Sequence, residues 1–287
     1  MSAAAETLLL HGPRRGVRLH PGFRLTLGIT LAYLGIIVLL PIAAAFLKLF
    51  GTSPAEIWRI ATEERALAAY RLSFGLSFAA AVINLVLGTI TAWVLVRYKF
   101  PGRRILDAMI DLPFALPTAV AGIALATLYA ENGWLGRPLA ALGVEVAFKP
   151  LGILVALVFV GLPFVVRTVQ PALQDLDPAF EEAAATLGAS RAQAIAHVVS
   201  RAVLPAALTG FTLSFSRAIG EYGSVIFIAG NIPFVSEIAP LLIVVQLEEY
   251  DYVGATVLAA SMLVISFVML LVINIAQRRS GGARRAD

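Results

Sequence analysis

Six long apolar runs constrain this chain more than any other feature. Residues 25–47 form 23 consecutive uncharged positions. At about 1.5 Å per residue, a helix of that length crosses the roughly 30 Å of bilayer hydrocarbon. Comparable runs recur at 72–96, 106–130, 150–166, 202–232 and 252–276. The chain is 59% hydrophobic and 14% charged, with a mean hydropathy of +0.86, whereas soluble domains carry about 25% charged residues. The expected fold is therefore an all-α integral membrane protein with six transmembrane helices, since a backbone in lipid must satisfy its own hydrogen bonds.

The first run is too long for a signal-peptide core and has no clean small-x-small site close behind it, so it is expected to be an uncleaved span. The organisation is then a tail at 1–24, a transmembrane domain at 25–277 and a second tail at 278–287. A seventh apolar run, 238–247, is too short to cross and is expected to be a buried or interfacial helix near the outer face. Asn84 is the one strongly polar residue of the second run. Pro113, Pro117 and Pro163 are expected to kink helices that their neighbours then stabilise. Trp58, Trp93 and Trp134 suit anchoring at the interfaces.

Charge sets the orientation. Fifteen Lys and Arg lie on one face: four in the first tail, four just after the second run, Arg167, Arg191 and Arg201 around a polar loop, and four in the last tail. The other face has six, and the loop between runs five and six has Glu237, Glu248, Glu249 and Asp251 with no cation. Cytoplasmic loops are the basic ones, so both termini are expected in the cytoplasm. The net charge of +4 comes from residues flanking the runs, not from a patch, so no nucleic-acid partner is expected.

Several chemistries are excluded. With no Cys there is no disulfide, thiolate nucleophile or Cys-based zinc site, and His11, His20 and His197 share no metal-ligand spacing. None of Lys48, Lys99 and Lys149 follows a glycine, so there is no phosphate-binding Gly-Lys loop. A nucleophile elbow, a two-His metal helix and a paired-carboxylate site are absent too. The chain is read as non-enzymatic, with no catalytic residue, cofactor or metal of its own.

Arg217 and Glu221 are the opposite charges placed well inside a run, four apart on what reads as one helix face. They either line or gate an anion pathway or hold spans together. Gly220 and Gly223 flank Glu221, so the helix is either unwound or closely packed there. Asp111, at the edge of the third run, either has a transport role or is a carboxylate near the interface facing cytoplasmic water.

One polar, helix-forming segment lies between runs four and five, on the cytoplasmic side. Asp177 and Pro178 read as an N-cap and first helical position, Ala183, Ala184 and Ala185 favour helix, and Gly188 suits a left-handed cap. Ser190 and Gln193 form a capping box opening a second short helix. The polar side of this segment, Glu181, Glu182 and Gln193, is acidic to neutral. It gains little from anionic lipid, and a protein partner suits it better.

This segment resembles the cytoplasmic loop of binding-protein-dependent ABC transporter permeases, which reads E-A-A, three residues, Gly, nine residues, then aliphatic-x-Leu-Pro. Glu182-Ala183-Ala184, Gly188 and Val198 fall in register. The Leu-Pro slot holds Ser200-Arg201 instead, with Leu204-Pro205 four residues later. The stretch from Ser216 to Pro233 is similar to the fifth span of oxyanion permeases, and Leu247 to Tyr252 is closer to sulfate/thiosulfate permeases than to molybdate permeases. The resemblance implies a type I ABC importer permease fold with a cytoplasmic coupling helix in the loop 171–201, carried in a bacterial inner membrane. Glu181, Glu182, Ala183, Ala184 and Gly188 would couple to the ATPase. Implied partners are a second, homologous permease, two ATPase subunits that bind ATP and magnesium, membrane lipid, and a periplasmic or lipid-anchored binding protein delivering sulfate. A molybdate or tungstate permease is the alternative.

Overall fold

The structure, a computed structural model, describes residues 22–282. Every regular element among them is helical. Two compact units divide at Phe50 and Gly51. The first holds α1 (Phe23–Leu49), with a wider π-turn at Gly35–Leu39. That turn precedes and abuts Pro41, which has no N–H for the regular ladder. No residue of α1 is buried within its own unit, as suits an apolar rod surrounded by lipid. The tail arginines Arg14, Arg15, Arg18, Arg284 and Arg285 lie outside the described residues.

The second unit runs through twelve helices among the described residues: α2 (Pro54–Ala61), α3 (Glu64–Arg97), α4 (Arg103–Ile110), α5 (Leu112–Ala115), α6 (Thr118–Tyr129), α7 (Gly136–Ala141), α8 (Pro150–Gln174), α9 (Ala179–Thr186), α10 (Arg191–Ile219), α11 (Val225–Ile228), α12 (Ala239–Glu248) and α13 (Tyr252–Gly282). Its centre is α3, α8 and α10, packed on one another through small residues. Ala80, Ala81, Ala92, Ala156 and Ala218 are buried at these contacts, and small side chains let helices approach closely in a membrane. Asn84 is buried here and donates from Nδ2 to Ser214 Oγ at 3.1 Å, tying α3 to α10. Phe74, Phe211, Phe215 and Leu242 form a second buried cluster between α3, α10 and α12.

The helices depart from the apolar runs in an informative way. The second and fourth runs lengthen into α3 and α8, because backbone hydrogen bonding continues past the first charged side chain while hydropathy does not. Arg167 is therefore inside α8 rather than in a loop. The third run breaks into α4, α5 and α6, with Leu116 extended (ψ 136°) before Pro117. A residue before proline is pushed out of the helical region, so these prolines interrupt the run rather than kink a continuous helix. The fifth run ends as helix at Ile219, with Gly220 as its cap, and does not reach 232. The second helix of the polar segment is not short either: it continues into the fifth span as α10, so the loop 171–201 narrows to the residues around α9. The run at 238–247 is α12, with Ala239, Leu241 and Leu242 buried, as expected of a helix that does not cross.

The interrupted run still crosses. α8, at 25 residues, is about 37 Å long. At its start Phe148 N–H donates to Ile228 O at 2.7 Å, and the end of α6 lies there as well, Tyr129 sharing a cavity of about 220 Å³ with Val146 and Phe148. At the far end α8 leads into α9, and α9 is bonded to the end of α3. Residues 103–129 therefore connect one end of α8 to the other. The second unit has five crossings, four continuous and one in pieces.

Candidate functional site

The polar segment forms a self-capped hairpin of helices. Asp177 Oδ1 accepts the Ala179 N–H at 2.9 Å, the bond an N-cap side chain makes two positions on, and Pro178 between them already has helical dihedrals (φ −53°, ψ −26°), as the sequence suggested. At the other end Gly188 takes φ +84°, and Ala189 N–H reaches back to Ala184 O at 3.0 Å. That five-residue bond closes a Schellman cap, which needs the left-handed conformation that glycine adopts without strain. Ser190 and Gln193 bond reciprocally at 3.3 and 2.8 Å, and the capping box is complete.

This short helix has two distinct sides. Glu182, Ala183 and Gly188 are exposed, and so are Phe180 and Leu187, the latter 88% exposed. Positions 180, 183, 184 and 187 share one helix face, giving an apolar stripe, and Glu182 is exposed on the far side of the helix from it. Ala184 is only half exposed. Glu181 faces the other way and accepts from Arg97 Nη2 at 2.5 Å. Arg97 ends α3, and its guanidinium lies 5.3 Å from the Trp93 ring centroid. The five expected coupling residues are thus together on α9 and its cap, with Glu181 turned inward as a tether.

A second charged node supports the same end of the unit. Arg167 on α8 donates to Asp111 at 2.8 and 2.5 Å, to Asp107 Oδ1 at 2.7 Å and to Gln170 Oε1 at 2.6 Å. Asp111 is therefore not a carboxylate facing water alone, one of the two readings its sequence position left open. The node pins α4 to α8 immediately before the proline break.

Deeper in the unit, Arg217 Nη1 donates to Glu221 Oε2 at 2.5 Å. The two do not share a helix face, because α10 stops between them. The chain is unwound there and closely packed too: a Cβ on Gly223 would collide with Thr118, and one on Gly122 with the Ser224 backbone. The loop returning from α10 thus lies directly against α6. Glu221 is 2% exposed, and its Oε1 accepts from Ser224 N–H and Oγ at 2.9 and 2.8 Å. Arg217, by contrast, has a side chain 35% exposed. One face of its guanidinium is fixed and the remaining donors are open, an arrangement that can meet an anion while its own position stays set.

Sequence reasoning missed the Phe180–Leu187 stripe, although the seven-residue spacing is visible. It also missed Arg97–Glu181, Arg167 with Asp107 and Asp111, and Arg65 with Glu237, whose partners lie 56 to 172 residues apart. No periodicity reports such pairs.

Long apolar helices, one interrupted crossing and a capped helix held out at one end define a membrane-spanning transport component. The chain belongs to the family of binding-protein-dependent transport system inner membrane components, whose pattern matches residues 84–281. It is 51% identical over 250 residues to the sulfate transport system permease protein CysT of Synechocystis sp., covering 87% of each chain. It is 47% identical over 264 residues to the Escherichia coli protein of the same name, covering 92% of this chain and 95% of that one. In fold it is similar to a solved bacterial alginate ABC transporter in complex with an alginate pentasaccharide-bound periplasmic protein, with a TM-score of 0.73, 17% identity, and coverage of 89% of this chain and 93% of the other.

Proposed function

We propose that this chain is the permease subunit of an ATP-driven importer of sulfate, with thiosulfate as a related cargo. The observation that carries the reading is likeness to sulfate permeases along almost the full length of both chains. It favours sulfate over the molybdate alternative. In this reading the chain pairs with a second permease, a binding protein delivers the anion, and two ATPase subunits with ATP and magnesium dock at α9. The apolar stripe of Phe180, Ala183 and Leu187 suits a partner's cleft, as an amphipathic helix lays its apolar face in a groove. Both termini and α9 face the cytoplasm, in keeping with the excess of Lys and Arg on that side.

Arg217 is the residue assigned to the pathway. Glu221 holds it and neutralises part of its charge, so that an anion is attracted but not trapped. The test is ATPase activity of the complex, reconstituted with its binding protein, compared across sulfate, thiosulfate and molybdate. Stimulation by sulfate and thiosulfate is expected. Stimulation by molybdate alone would overturn the reading.

A further inference from the structure

A basic cleft lies where α3 gives way to α4, and the exposed face of α9 does not include it. We infer that it is a binding site for the headgroup of an anionic phospholipid. The cleft is open, about 670 Å³, and lined by Lys99, Arg103 and Arg104, with Phe100 and Ile105 as apolar surface and Asp107 at its rim. Among the described residues neither Lys99 nor Arg104 forms an ion pair. Asp107 does not neutralise them, because its Oδ1 already accepts from Arg167 and Gln170 at 2.7 and 3.1 Å. The cleft therefore sets three cations against the one carboxylate of Asp107 and carries net positive charge.

The second observation decides the ligand. α4 leaves the cleft with Ile105 68% exposed and Met109 55% exposed, four apart on one face, while Ile110 is buried. The helix thus shows an apolar stripe next to the cations rather than a uniformly polar surface. A free anion would use the cations and leave the stripe in water. A phospholipid uses both, its phosphate at Lys99 and Arg104 and its acyl chains along Ile105 and Met109. The position is right for it, since the cleft sits at the end of a crossing, where headgroups lie. The pinning of α4 by Arg167 means that a lipid held here bears on the helix that leads into the interrupted crossing.

The measurement is retention of phosphatidylglycerol against phosphatidylcholine by the full chain, purified with its partners, read by native mass spectrometry, with glycerol phosphate as soluble competitor. The wild type is expected to retain phosphatidylglycerol preferentially, and raised salt is expected to erode the preference because the cations are exposed. Lys99→Gln with Arg104→Gln should lower retention about fivefold per cation removed. Ile105→Ser with Met109→Ser should lower lipid retention yet leave glycerol phosphate binding unchanged. Glycerol phosphate competing as strongly as the lipid would make this a free-anion site and overturn the inference. Unchanged lipid retention in Lys99→Gln/Arg104→Gln, with or without loss of the ATPase partner, would overturn it as well. Should that variant not fold, the wild type decides alone: a preference insensitive to salt rules out the site.

Discussion

Glu237 is a residue whose chemistry is set by one distant partner. Its carboxylate is buried and receives two parallel bonds from Arg65, Nε to Oε2 at 2.8 Å and Nη2 to Oε1 at 2.7 Å. Removing one member of a buried pair leaves an uncompensated charge, at a cost of about 3 kcal/mol or more, whereas replacing both by apolar groups of similar size is often neutral. Arg65→Met should therefore lower the unfolding midpoint in detergent markedly, and Arg65→Met with Glu237→Leu should recover most of the loss. Equal midpoints for Arg65→Met and the wild type would contradict this. Gly188 is set by its backbone alone. A Cβ there meets nothing within 4 Å, but φ is +84°. The strain on a side-chain-bearing residue is about 1–2 kcal/mol, and asparagine bears it better than others. Gly188→Val should weaken co-purification of the ATPase while insertion persists, and Gly188→Asn should stay close to wild type. Two variants with equal retention would remove the role given to this cap.

At the scale of elements, α9 needs a path by which its motion reaches the spans. One path is the continuous helix α10, which follows after the capping box. The other is Arg97–Glu181, which joins α9 to the end of α3. Both side chains are partly exposed, so the pair contributes about 0.5–1 kcal/mol. That corresponds to a two- to fivefold loss of transport in Glu181→Ala, with ATP hydrolysis less affected. The swap Arg97→Glu with Glu181→Arg should restore part of the loss, measured as sulfate uptake per ATP hydrolysed. A swap no better than either single charge reversal would assign the coupling to α10 alone. How much of this was legible in the sequence follows the range of each signal. The caps of α9, Gly188, and the capping box at Ser190 and Gln193 were readable because each acts within five residues. The end of α10 at Gly220 was not, because the glycines allowed an unwound or a closely packed chain, and the fold has both, with Gly223 closed against Thr118. Arg97 was readable only as a basic residue after a span, since its partner lies 84 positions away.

At the scale of the molecule, the interrupted stretch 103–129 decides which loops share a side of the membrane. Hydropathy placed a crossing there, and continuous helix length alone does not, because the longest helix in the stretch is α6 with 12 residues. That gives about 18 Å at 1.5 Å per residue, well short of the hydrocarbon thickness. The crossing works because α4, α5 and α6 follow α8 end to end, with Gly122 of α6 packed directly against the Ser224 backbone. The absence of cysteine makes the consequence measurable, since any introduced thiol is unique. Tyr98, Leu142 and Leu187 are all exposed, and they mark the loop before the interrupted stretch, the loop after it, and α9. Tyr98→Cys and Leu187→Cys should react with a membrane-impermeant maleimide only after the membrane is opened, whereas Leu142→Cys should react in intact cells. Labelling of Leu142→Cys on the same side as Leu187→Cys would mean that the stretch turns back, leaving α8 to enter from the wrong face. The agreement of Tyr98 with Leu187 tests the same geometry from its other end, because Arg97 cannot reach Glu181 across a bilayer.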